Sequence, residues 1–376
     1  LAQVDSPPSS DLHPEKASDD LVSIARQSLQ DLNRHGVTLQ GLMVYDWSKT
    51  LVADEDSVAG FGRYSFDLSM ALDGKRLFGL NGSAGMIRLK HHLNNFGETY
   101  DDEAQLYSNI DAPSRTTLYE IWVEQRLFSD KLRLKGGKID ANTEFAAVQS
   151  AGDFLNSSMG YSPTIMVFPT YPEPKLGINA FLRPTRNYGL GMGVFETAGL
   201  GTLSIVEPGS TWNLGKTEHP GRISLGYWRL DGKVARFDGE ETSRTQGLYS
   251  VVEQSVWRQS LGQEGERKLS TFIQAGWADG RVSSFTRHLS GGVVLQGPFR
   301  KRSQDGIGVA ATWLRFSSDP DADFNLHAEL TFESYYKASL TKHIALVSDF
   351  QYLHHPGGMR ANPDCPVITP RLVLSF

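Results

Sequence analysis

The chain has 376 residues, 21% charged and 39% hydrophobic, with a formal net charge of −6 and one cysteine, Cys365. A single thiol excludes an internal disulfide and a cysteine-based zinc site, and scattered rather than massed basic residues give no footprint for nucleic acid. No run approaches the ~18 apolar residues of a membrane helix, but a membrane β-barrel, whose strands need only ~10 alternating residues, stays open.

Residues 1–17, with Ser6-Pro7-Pro8-Ser9-Ser10, read as a flexible arm. Leu1 is not an initiator Met, which fits a signal peptide already removed. Ser18-Asp19-Asp20 then precedes Leu21, Ile24, Leu29 and Leu32, with Gly36 as a stop, and predicts one short amphipathic helix over about 19–35.

From Val37 the period becomes two. Val37, Leu39, Gly41, Met43, Tyr45 and Trp47 alternate with polar and mixed neighbours. Tyr119, Ile121, Val123 and Leu127 are set against Glu120, Trp122, Glu124 and Arg126, and Ala328, Leu330 and Phe332 against Glu329, Thr331 and Glu333. This is strand periodicity. It predicts segments near 37–50, 60–73, 79–91, 115–128, 131–140, 174–184, 187–197, 201–207, 221–231, 246–258, 267–279, 285–297, 306–317, 324–338, 342–354 and 366–376. Segments 187–197 and 201–207 are the weakest of these, with one bent strand as the alternative. Tight connections at Ser129-Asp130 and Thr185-Arg186 contrast with long ones at 92–114 and 141–173.

The predicted fold is all-β: an outer-membrane transmembrane barrel of about 16 antiparallel strands spanning 37–376, with residues 1–36 as a periplasmic arm and helix. A soluble sandwich or propeller also alternates, but seldom puts so much charge on the inward faces of its strands. The last strand, Ile368, Pro370, Leu372, Leu374, Phe376, ends on an aromatic. Tyr45, Trp47 and Tyr64 fall near strand ends on the apolar faces and read as interface girdle.

Gly137-Lys138-Ile139-Asp140-Ala141-Asn142-Thr143-Glu144-Phe145-Ala146 breaks the strand pattern, followed by Phe154-Leu155-Asn156-Ser157-Ser158-Met159-Gly160-Tyr161-Ser162-Pro163 and Pro169-Thr170-Tyr171-Pro172. These blocks resemble the carbohydrate-selective porins of the OprB type. Glu333-Ser334-Tyr335-Tyr336-Lys337 through Gln351-Tyr352 to Gly358 resembles that family's last hairpin, and Gly247-Leu248-Tyr249 to Glu253-Gln254 is a weaker match. Family members carry Asn-Pro-Gly-Gly where this chain has His355-Pro356-Gly357-Gly358. The resemblance implies passive diffusion of small neutral sugars through the outer membrane. It also implies contact with outer-membrane lipids and lipopolysaccharide, a terminal Phe376 read by the barrel-assembly machinery, and a monomer or loose oligomer. No cofactor is expected.

A barrel this wide leaves an open channel unless something folds inward, and 141–173 is the expected constriction loop. Sugars offer hydroxyls and an apolar ring face, so a selective channel needs charged or amide groups beside aromatic planes. The lumen candidates are Arg88 and Lys90; Glu120, Trp122, Glu124 and Arg126; Arg133 and Lys135; Lys138, Asp140, Asn142 and Glu144; Asp153 and Asn156; and Phe168 and Tyr171. The charged members also suit a mutually neutralising network, Lys138, Asp140 and Asn142 suit a tie between loop and wall, and Phe168 and Tyr171 suit loop packing. Opposed cationic and anionic walls would set a transverse field that favours neutral dipolar solutes. Catalysis fits poorly: Glu120 and Glu124 share a face as any charged strand allows, and no nucleophile elbow or Walker loop occurs. His91-His92 and His354-His355 would point to opposite faces of a strand and so not chelate. Rival readings are a general porin, an accessory barrel whose arm docks a periplasmic partner, and a soluble carbohydrate-binding β protein.

Overall fold

The computed structural model describes residues 27–51, 60–96, 103–215, 219–262 and 265–376. The expected arm, and the helix before residue 27, lie outside the described residues. What is described of the helix, α1 (27–34), ends at Gly36, whose φ of 94° only glycine tolerates easily. Arg76 donates to the Asn33 carbonyl at 2.9 Å and so ties the helix to the first turn.

Sixteen strands follow: β1 (Val37–Thr50), β2 (Phe61–Asp73), β3 (Ser83–Phe96), β4 (Arg115–Leu127), β5 (Leu132–Ile139), β6 (Lys175–Leu182), β7 (Tyr188–Thr197), β8 (Gly201–Leu214), β9 (His219–Ala235), β10 (Glu241–Ser260), β11 (Glu266–Ala278), β12 (Phe285–Gln296), β13 (Gly306–Phe316), β14 (Ala328–Ser339), β15 (Ile344–His354) and β16 (Cys365–Ser375). Each pairs antiparallel with its neighbours in sequence, and β16 pairs with β1 to close the barrel. The seam ends where Gly41 and Phe376 exchange two backbone hydrogen bonds of 3.0 Å. The Phe376 ring occupies the space where a side chain on Gly41 would stand.

The faces are reversed relative to a soluble protein. Val123 and Ile178 are 70% and 69% exposed on the outer wall. Arg63, Glu120, Gln274, Glu329 and Gln351 are buried inside it. A continuous apolar outer surface needs hydrocarbon, not water, as its solvent.

Four expectations need correction. β8 runs on to Leu214 as a separate strand, because Pro208 stays in the ladder opposite Leu190 instead of ending it. Tyr119 does not face lipid: the β3–β4 register slips between Arg88↔Glu120 and Leu89↔Leu118. That bulge turns Tyr119 inward, where its hydroxyl donates to Asp140. Lys138 does not face the lumen. Arg133, Lys135 and the buried Ile139 hold the inward positions of β5, so Lys138 sits outward between Ile121 and Leu176 and donates to the Leu118 carbonyl at 2.6 Å. His354 and His355 are side by side, with ring centroids 3.7 Å apart, because His355 leaves the strand at a φ of 56°.

Candidate functional site

Two segments enter the lumen. The second, 140–174 between β5 and β6, includes the segment 141–173 read above as a constriction loop; the first is the described part of the β3–β4 connection at 103–114, for which the sequence suggested no such role.

Asp140 starts the second insert. Its carboxylate caps α2 (Ala141–Glu144) by accepting from the Asn142 N–H at 3.0 Å, and it also accepts from the Thr170 hydroxyl at 2.6 Å. Phe145, fully buried, stacks on Phe181 with centroids 5.2 Å apart and lies on bare backbone at Gly191 and Gly193. Phe154 meets Phe272 and Tyr335 edge-on above Gly308. Ser162 and Thr164 fill the space over Gly276. The wall thus meets the insert with aromatic rings beside glycines that leave room for it.

Carboxylates complete the attachment. Glu207 on β8 accepts from the Ala146 N–H at 2.9 Å, and Glu253 on β10 from Ser150 at 2.5 Å. Glu333 on β14 accepts from Leu155 at 2.5 Å and Asn156 at 3.2 Å. Glu329, four residues earlier on the same strand, holds the first insert by the N–H groups of Ala104 at 2.8 Å and Gln105 at 2.9 Å, and also holds Gly357 at 2.7 Å. Buried carboxylates that each accept backbone N–H groups make strong charge-assisted hydrogen bonds. The two inserts bind each other as well: the Asn109 N–H donates to Leu155 at 2.7 Å, and Ser157 donates to Leu106 at 2.9 Å.

The predicted charged row is assembled on β3–β5. Arg88 meets Glu120 at 3.0 Å; Glu124 meets Arg126 at 2.9 Å and Arg133 at 3.0 Å. Glu144 bridges Arg133 and Lys135, each at 2.5 Å. Burial raises the Glu144 carboxyl, but the Lys135 ammonium and Arg133 guanidinium more than offset this and hold it below the usual glutamate range. Lys90 pairs with Asp67 at 2.9 Å and lies over the rings of Tyr119 and Tyr171. Cations and anions therefore lie side by side along β3–β5. Trp122 does face inward, with the Lys135 ammonium 3.7 Å from its ring centroid.

The remaining candidates divide by burial. Asn156 is enclosed: it caps α3 (Ser157–Gly160), and its amide donates to Gln105 at 3.0 Å and Gln351 at 3.1 Å. Phe168 packs edge-on against Trp228 and Tyr249. Asp153 pairs with Lys337 at 2.6 Å. Asn142 and Tyr171 border a cavity of about 670 Å³ between the inserts, shared with Asn109, Asp111, Tyr161 and Thr170. Burial, then the Asp111 and Asp67 carboxylates, push the Tyr171 hydroxyl up, so it stays protonated. Sequence reasoning missed the first insert and the anchoring role of the wall glutamates. Glycines at 191, 193, 276 and 308 on otherwise lumen-facing positions were the available signal.

A family model described as carbohydrate-selective porin, OprB family, matches residues 57–376. Porin B of Pseudomonas aeruginosa is 23% identical over 296 residues, which cover 64% of this chain and 64% of that protein. The high-pH structure of Pseudomonas putida OprB superposes with a TM-score of 0.83 at 17% identity, covering 94% of this chain and 97% of that one. The low-pH structure of the same protein gives 0.60 at 19% identity, covering 99% of this chain and 100% of that one.

Proposed function

The chain belongs to the carbohydrate-selective porin family of the OprB type, and from that premise we propose that it passes small neutral sugars down their gradient through a lumen narrowed by both inserts. Family and fold together indicate a channel rather than an enzyme, and a Gram-negative outer-membrane location.

The observation that supports neutral solutes most is the pairing of charge. Arg88, Glu120, Glu124, Arg126, Arg133, Lys135 and Glu144 are all engaged with one another. Four cations set against three carboxylates leave an excess of a single charge, which gives an ion little electrostatic advantage, yet the row offers forked donors and acceptors to hydroxyl pairs. Arg88, Arg126 and Arg133 remain partly exposed to water. Trp122 beside them supplies the plane for a sugar's C–H face. The cavity between the inserts repeats this chemistry with Asn109, Asn142, Tyr161 and Tyr171, and its volume of about 670 Å³ lies within the ~300–1,000 Å³ range of small-molecule sites. Contact in either place is brief, since conduction requires weak binding.

Liposome swelling tests the proposal. Glucose and a disaccharide should enter faster than charged amino acids of similar size. Rates set by size alone would make the protein a general porin, and no swelling would favour an accessory barrel.

A further inference from the structure

Arg287 on β12 and Arg315 on β13 stand directly opposite each other in the ladder. Both face outward, since His288, Leu314 and Phe316 beside them are buried inside the barrel. Among the described residues neither guanidinium is engaged by another side chain. Like charges facing each other across a rung repel, and an anion bridging them would turn that repulsion into two charge-assisted contacts.

The pair sits at the start of β12 and the end of β13, at the end of the barrel away from the start of β1 and the end of β16. Long connections cluster at that end, which in outer-membrane barrels is the outer side. Toward the membrane interior the outward rungs are Leu289↔Trp313, Gly291↔Ala311 and Val293↔Val309. An indole therefore lies next to the charges, and beyond it comes a dip where Gly291 and Ala311 remove bulk. On the other flank of Arg287 is Trp277, which closes an apolar groove of about 550 Å³ bordered by Leu225, Tyr227 and Leu248. Cations above an aromatic rung above a grooved apolar surface match a ligand with a phosphate head and several acyl chains.

We propose that this face binds lipopolysaccharide of the outer leaflet, its lipid A phosphate bridging Arg287 and Arg315 and its acyl chains lying along the Gly291/Ala311 dip and the Trp277 groove. The site is independent of the sugar pathway and stands whether or not the lumen prefers sugars.

Native mass spectrometry of the full chain in detergent reads the retained lipid. The probes are bisphosphorylated lipid A, the same lipid with its phosphates removed, and phosphatidylglycerol. The variants are R287Q/R315Q and, as a control at the opposite end, R183Q/R186Q; heat-modifiable gel mobility verifies that each barrel is folded. Wild type and control should hold bisphosphorylated lipid A alike, and R287Q/R315Q should bind it at least about tenfold more weakly, roughly 1.4 kcal/mol. A smaller loss, or equal retention of the phosphate-free lipid, overturns the proposal. Equal retention of phosphatidylglycerol, lost in the same variant, overturns the assignment to lipopolysaccharide.

Discussion

Glu329→Ala should release the first insert from the wall. The Glu329 carboxylate is 0% exposed and accepts three backbone N–H groups, from Ala104 and Gln105 in the insert and from Gly357 in the last outer connection. Stranding a buried donor costs about 1–3 kcal/mol. Three donors at the low end, with water reaching part of the gap, give roughly 3 kcal/mol and a ~150-fold rise in the detached fraction. Glu329→Gln keeps the shape but turns an amide N–H toward at least one of the three donors, so it should show a smaller effect in the same direction. Hydrogen exchange at Ala104 and Gln105 reads the detachment, and single-channel recording reads its consequence as added current noise. The Thr312 hydroxyl, which donates to Gln105 at 2.6 Å, is too small an anchor to compensate. Exchange at those two amides unchanged from wild type would refute the reasoning.

Trp122→Ala should weaken sugar block of ion current by roughly 2- to 10-fold, the worth of one aromatic contact, while leaving the channel open; unchanged block removes Trp122 from the pathway. Gly193→Leu places a Cβ 2.7 Å from the Phe145 ring, and overpacking of about 1–3 kcal/mol should displace the second insert and raise conductance in planar bilayers; wild-type conductance would count against the docking of Phe145 on bare backbone. Glu144, whose folded carboxyl lies below its usual range, contributes stability that is complete above the unfolded glutamate value and lost as pH falls through the folded one. The difference in thermal stability between wild type and Glu144→Gln should therefore shrink as pH drops below about 4, and a difference constant with pH would contradict the salt bridges to Arg133 and Lys135.

Alternation made the strands legible because each strand's two faces meet different solvents. Leu330 and Phe332 against Glu329 and Thr331 needed no further context. Where a single residue disturbs the count, local pattern misleads: the bulge at Tyr119 inverts one face, and Pro208 looks like an end when it is only a missing donor. Lys138 misled differently, since a charge beside a loop root suggests the lumen, whereas the inward places of β5 were already taken by Arg133, Lys135 and Ile139. The first insert was illegible for another reason. It has no hydrophobic period, and Ala104 meets its anchor Glu329 across 225 residues of sequence. No local pattern signals a contact so distant.

The two kinds of anchor explain how loops stay fixed in a wet channel. Exposed insert backbone would otherwise bond to water, and ordering it costs about 1–2 kcal/mol per residue. Aromatics such as Phe145 and Phe154 supply adhesion, but a ring on bare wall fixes position better than orientation. Glu207, Glu253, Glu329 and Glu333 fix orientation, because each aims named N–H groups at one wall. With those N–H groups directed into the wall, the amides of Asn109 and Asn142 are left bordering the cavity. The same division predicts unequal failure. Removing a ring should loosen an insert as a body, while removing a carboxylate should free a short stretch and change what the passage presents. Selectivity should therefore be more sensitive than conductance to the loss of a wall glutamate, and less sensitive to the loss of Phe145.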